Sequence, residues 1–157
     1  MNIELIVVGK TAGRYLEEGI ADYVKRLSHY VKFDMAVVPD VRNAKNLSQQ
    51  QLKEKEGEGI LARLGPQDKV VLLDERGAQM DSERFAEWIQ DNMNRGTRKL
   101  VFVIGGAYGF SEALCRRAAE KISLSKMTFS HQMVRLIFTE QLYRSFTILA
   151  GQPYHHK

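Results

Sequence analysis

The chain has 157 residues, 44% hydrophobic and 27% charged, with 23 Lys and Arg against 19 Asp and Glu for a net charge of +4. That length buries a full core without disulfides or metal and is most simply one domain, 1–157. The longest apolar runs, Val70–Leu73 and Leu100–Ile104, are far too short to cross a bilayer, and Met1-Asn-Ile-Glu lacks the basic start of a signal peptide. Cys115 has no partner for a disulfide or a metal site. A membrane protein, a disulfide scaffold and a metalloprotein are therefore not expected, and a cytoplasmic location is. The mild basic balance permits a nucleic-acid partner without demanding one.

Ile3–Val8 reads as an apolar strand. Gly9-Lys10-Thr11 ends like a phosphate-binding P-loop, but Glu4 stands where that loop needs its first glycine, so Lys10 is a loop cation. Over Gly13–Tyr30, Tyr15, Leu16, Ile20, Tyr23, Val24 and Leu27 recur at helical spacing, which predicts an amphipathic helix lying on a sheet. Phe33–Val38 is a second strand, stopped by Pro39-Asp40. After a polar loop, Ser48 caps a charged helix to about Leu64. Gly57 and Gly59 within it each cost about 1 kcal/mol relative to Ala. This helix reads as a solvated one; alternatively, Arg42 to Lys55 form a basic rim for RNA phosphates.

Lys69–Asp74 is the third strand, and Asp74-Glu-Arg-Gly77 leaves it as a charged turn. Asp81 or Ser82 caps a helix through Asn94, with Phe85, Trp88, Ile89 and Met93 on one face. The fourth strand, Lys99–Ile104, runs into Gly105-Gly-Ala-Tyr-Gly109, and Ser111 caps a helix over Glu112–Lys121. Alternation over Ile122–Phe129 is compatible with a short fifth strand flanked by loop. His131 opens a last helix so apolar that both its sheet and a second subunit are expected to cover it. Gly151–Lys157 is an extended tail. The regular alternation predicts an α/β fold, a mainly parallel sheet with helices on both faces.

The glycines at 105, 106 and 109 leave backbone uncovered at the end of a strand, where a flat ligand could lie; they could equally shape a tight turn. Adjacent glycines after the fourth strand depart from the dinucleotide fingerprint. The four histidines, His29, His131, His155 and His156, lack metal-ligand spacing. What remains is a backbone-lined pocket between the glycine loop and the segment leading to His131, with Arg135 one turn further on.

The strand ending Val-Ile-Gly-Gly-x-x-Gly, then Leu-Ser-Lys-Met-Thr-Phe-x-His-Gln-Met-x-Arg, Glu-Gln-Leu-Tyr-Arg and the closing Pro-Tyr-His resemble the SPOUT methyltransferases. Within that family they resemble the enzymes that methylate N3 of a pseudouridine in 23S ribosomal RNA, and the likeness covers the whole chain. The resemblance implies a C-terminal deep trefoil knot over about residues 70–157, an exception to the rule against threaded loops. It also implies S-adenosyl-L-methionine as cofactor, held by Leu73, Gly105, Leu124, Ser125, Lys126, Met127, Thr128 and Phe129, with no metal. A homodimer acting on the ribosome is implied as well. The candidate catalytic residues are His155 or His131 as proton acceptor, Arg135 or Arg144 to steady negative charge, and Tyr154 of the tail. The alternatives are a non-catalytic ribosome- or RNA-binding factor of the same fold and a SPOUT methyltransferase acting on tRNA.

Overall fold

The computed structural model describes residues 1–156. Strands β1 (Asn2–Val8), β2 (Lys32–Val38), β3 (Lys69–Gln79), β4 (Lys99–Val103) and β5 (Glu120–Ser123) form one sheet in the order β2-β1-β4-β3-β5. Every neighbouring pair is parallel. Parallel pairing requires crossovers, and these carry helices α1 (Arg14–Leu27), α2 (Gln49–Leu61), α3 (Ser82–Asn94) and α4 (Glu112–Arg117), with α5 (Met133–Leu149) following the last strand.

The central strands are buried on both faces, which is why β1, β3 and β4 read as continuous apolar runs rather than as alternation. On one face Leu5, Val71, Leu100 and Phe102 pack against Leu27 of α1, Phe85 and Trp88 of α3, and Phe138, Leu142 and Phe146 of α5. On the other, Ile6, Leu72, Val101 and Val103 meet Ile60 of α2 and Leu114 of α4. Helix starts follow the local chemistry: Ser48 and Gln51 form a capping box, Asp81 accepts from the Arg84 N–H, and Ser111 from the Leu114 N–H.

Six expectations need correction. Leu16, Ile20 and Leu27 of α1 are buried, but Tyr15 is 67% exposed. Helix α2 is not merely solvated: a Cβ at Gly57 would lie 2.4 Å from Ser111 Oγ, and one at Gly59 2.9 Å from Val38 Cγ1, so the glycines that weaken this helix let it approach the sheet and α4. The charged stretch after Asp74 is no turn, because β3 continues to Gln79 with a bulge in which Leu73 and Ala78 both pair with Ile122. Helix α4 stops at Arg117, and Ala119 already donates its N–H to Val70 O at 2.8 Å. Strand β5 therefore begins at Glu120 and ends at Ser123, leaving Leu124–Phe129 as loop, and α5 starts at Met133 rather than His131.

Candidate active site

The carboxyl ends of β3 and β4 open into a cavity of about 510 Å³, a size suited to a small-molecule ligand. Its walls are the glycine loop, the β3 bulge with Leu73 and Glu75, the loop after β5, and His131 and Val134 at the start of α5. Of the positions the resemblance assigns to the cofactor, Leu73, Gly105, Leu124, Ser125, Met127, Thr128 and Phe129 line this cavity, and Lys126 does not. Tyr108, Met127 and Phe129 are exposed, giving the mouth an apolar rim.

The glycine loop is shaped by what lies behind it as well as by the cavity. A Cβ at Gly105 would sit 2.9 Å from the Phe110 ring, and one at Gly106 would sit 2.4 Å from Glu56 Oε2. Gly109 has φ +89°, a conformation that L side chains rarely adopt. Across the mouth, Ser125 Oγ accepts from the Met127 N–H at 2.9 Å, and Thr128 Oγ1 donates to Glu75 Oε2 at 2.5 Å, tying the loop after β5 to the β3 bulge.

Two charged residues are buried nearby. Glu56 on α2 is 9% exposed and its Oε1 has no hydrogen-bond partner. Burial, then the charge of Asp40, push its carboxyl above the usual range. Arg135 is 1% exposed. Its guanidinium donates to Val8 O at 2.8 Å, Gly9 O at 2.9 Å and Thr11 Oγ1 at 3.1 Å. Burial lowers its pKa and the charge of Asp40 opposes that shift. Arg135 is therefore spent on the end of β1 and is not among the cavity-lining residues. In this arrangement its Nε, also buried, has no hydrogen-bond partner.

The remaining candidates form a separate cluster at the far end of α5. Arg144 pairs with Glu140 at 2.5 Å and contacts His155 Nδ1 at 3.1 Å. Its guanidinium lies 4.8 Å from the centre of the Tyr154 ring. A guanidinium can only donate, so His155 Nδ1 accepts and its ring proton sits on Nε2, facing Glu83 Oε1 at 3.6 Å. Tyr154 donates to Glu140 Oε1 at 3.1 Å and shares a 3.2 Å hydrogen bond with Tyr23. Burial first, then Tyr23 and Glu140, push the Tyr154 phenol far up. It therefore stays protonated and is not a base at neutral pH.

The helix rise of about 1.5 Å per residue separates Val134 from Arg144 by about 15 Å. Within one chain His131 lines the cavity, while Arg144, Tyr154 and His155 do not. Sequence reasoning missed Glu140, Tyr23, Glu56 and Glu75. Only Glu140 carried a signal, one helical turn before Arg144. Among the described residues no helix is long and apolar enough to cross a membrane, and no His, Cys, Asp or Glu group is placed to hold a metal ion.

A family model described as a predicted SPOUT methyltransferase matches residues 1–155. Curated relatives named ribosomal RNA large subunit methyltransferase H include one from Flavobacterium johnsoniae, 58% identical over 157 residues and covering 100% of both chains. Another, from Parabacteroides distasonis, is 57% identical with the same coverage. A solved structure of a probable methylase family protein from Haemophilus influenzae Rd KW20 superposes with a TM-score of 0.51 at 10% identity. It covers 96% of this chain and 66% of that one, a likeness of fold.

Proposed function

The chain belongs to the SPOUT methyltransferase family, and we propose that it transfers the methyl group of S-adenosyl-L-methionine to N3 of a pseudouridine in 23S ribosomal RNA, on the assembled ribosomal particle in the cytoplasm. The observation that carries this reading is the cavity at the ends of β3 and β4. Leu73, Leu124 and Phe129 offer apolar walls and the glycine loop and Ser125 offer main-chain and hydroxyl partners, the donor set an adenosine moiety calls for. The ribosomal target rests on the names of the full-length relatives, and the pseudouridine on the sequence motifs. A knotted path for about residues 70–157 belongs to the same reading.

When bound, the cofactor supplies a methyl on a sulfonium sulfur, already activated, so the protein's work is alignment and removal of the N3 proton. With cofactor and base in the cavity, His131, the histidine at its wall, would accept the N3–H proton. His155 is less suited in the observed arrangement, since Arg144 occupies its Nδ1 and its other nitrogen holds the proton. Arg144 is paired and cationic, held above its ordinary pKa by Glu140, and steadies the deprotonated base.

For Arg144 and the tail to reach the cavity, a second copy must supply them. The partly exposed outer face of α5, with Ile137 and Ile148, supports a homodimer packed along that helix. Incubating the protein and labelled S-adenosyl-L-methionine with ribosomes, free ribosomal RNA and tRNA, then mapping the label, tests the reading. Label on a 23S pseudouridine is expected. Label on tRNA alone replaces the target, and binding without transfer leaves a non-catalytic factor.

A further inference from the structure

The sheet order places the carboxyl end of β1 directly beside that of β4, with β2 next beyond β1, so the loops after these strands continue the edge on which the cavity opens. The β1–α1 loop is fastened to the cavity lip: the Ala12 N–H donates to Gln132 Oε1 at 2.8 Å, and Gln132 Nε2 donates to Lys10 O at 3.2 Å. Gln132 is the neighbour of His131 in the cavity wall. This stretch carries Lys10 and Arg14, and the adjoining β2–α2 loop carries Arg42 and Lys45, all exposed.

Tyr15 is the large apolar side chain out of place here, 67% exposed at the start of α1. A Cβ on Gly13 would lie 3.0 Å from Tyr15 Cε1 and 3.4 Å from Cδ1, so the edge of the ring lies over Gly13, whose φ of +93° favours glycine. The loop thus presents an aromatic side chain to solvent.

Acidic groups on the same edge do not cancel the cations. Asp40 lies against Gly9, where the buried Arg135 offsets its charge. Glu18 faces Arg14 at 3.8 Å with both side chains exposed, a pair worth little in water. Glu17 completes the set in the first turn of α1.

Resting on the reading that the substrate is ribosomal RNA, we infer that the β1–α1 and β2–α2 loops form its docking surface: Lys10, Arg14, Arg42 and Lys45 meet phosphates, and Tyr15 stacks on an unpaired base beside the target. Cations fix register on the backbone and an aromatic ring takes any base by its face. The basic rim suggested by the sequence from Arg42 to Lys55 is thereby moved. Its working part is the two loops at the strand ends, not the α2 helix that packs on the sheet.

The test measures ribosome binding by co-sedimentation alongside methyl transfer, with the full chain, at several salt concentrations. Removing two charges with Lys10→Ala/Lys45→Ala should raise the ribosome Kd and KM about tenfold and leave kcat and S-adenosylmethionine affinity unchanged. It should also flatten the salt dependence of binding by about one phosphate contact per lysine. Tyr15→Ala should weaken binding about tenfold with the salt slope intact, and Tyr15→Phe should restore it. The control is Arg95→Ala/Arg98→Ala, exposed charges before β4 at the opposite edge. If that pair weakens binding as much as the lysine pair, or if the lysine and tyrosine variants bind ribosomes like the parent, the inference is overturned. Preserved binding contrasts with no methyl transfer by the parent overturn the catalytic reading and leave the docking surface standing.

Discussion

Arg135 and Arg144 sit on the same helix, and nothing in their immediate sequence ranks one above the other as a functional cation. Their surroundings differ completely. Arg135 is 1% exposed and gives its donors to two carbonyls and a hydroxyl of the β1–α1 segment. The Arg144 side chain keeps 22% of its surface and sits among Glu140, Tyr154 and His155. A cation anchored on main chain is an element of the fold, whereas one held by other titratable side chains can exchange partners with a substrate.

Substitutions at the two ends of α5 should therefore separate stability from activity. Arg144→Ala carries the largest effect, a loss of methyl transfer of about a hundredfold or more, while its urea midpoint shifts by less than about 1 kcal/mol of stability. A comparable loss of stability and rate would break the contrast. Arg135→Met should do the reverse, costing about 3 kcal/mol because the Val8 and Gly9 carbonyls lose a buried donor. The rate per folded molecule should hold within a few-fold, and Arg135→Lys should rescue only part of the stability, since one ammonium lacks the fork that spans these acceptors.

Glu56 sharpens the comparison from the acidic side, being a buried charge with neither kind of partner. Its native pKa is raised, so its contribution to stability is present below the unfolded value near 4.5 and is lost as pH rises through the native one. Glu56→Gln should gain about 1 kcal/mol over the parent at pH 8 and flatten stability against pH, as urea melts at several pH values would show. An unchanged pH profile would place the titration elsewhere. The smallest effect belongs to Tyr154→Phe. It removes the hydroxyl shared by Glu140 and Tyr23 and should slow transfer about threefold without altering the pH–rate profile up to pH 9, since the phenol stays protonated there.

The fold was legible where burial dominates. The apolar runs of β1, β3 and β4, the stripe of α3 and the caps at Ser48, Asp81 and Ser111 are local consequences of local chemistry. The errors fall at the sheet's polar edge. There β5 is four residues long and needs no hydrophobic run, and β3 resumes its pairing at Ala78 after the polar excursion Asp74–Gly77. Within the site, the residues after β5 were accessible through motif resemblance alone, since a loop has no periodicity to read. Glu56 and Glu75 were missed because their meaning lies in long-range approaches, to Gly106 and to Thr128, that no spacing along the chain encodes.

The bulge in β3 makes the rim of the cavity a module. Because Leu73 and Ala78 both answer to Ile122, residues 74–77 form a detour that leaves and rejoins the sheet at the same rung, so their side chains can change without disturbing the pairing on either side. The far end of that detour is rigidly specified: a Cβ at Gly77 would lie 2.6 Å from the Lys121 carbonyl carbon. Variation among proteins of this architecture should accordingly fall on positions 75 and 76 while the length of the excursion and its terminal glycine persist, letting the lip be retuned for a different guest with the core untouched.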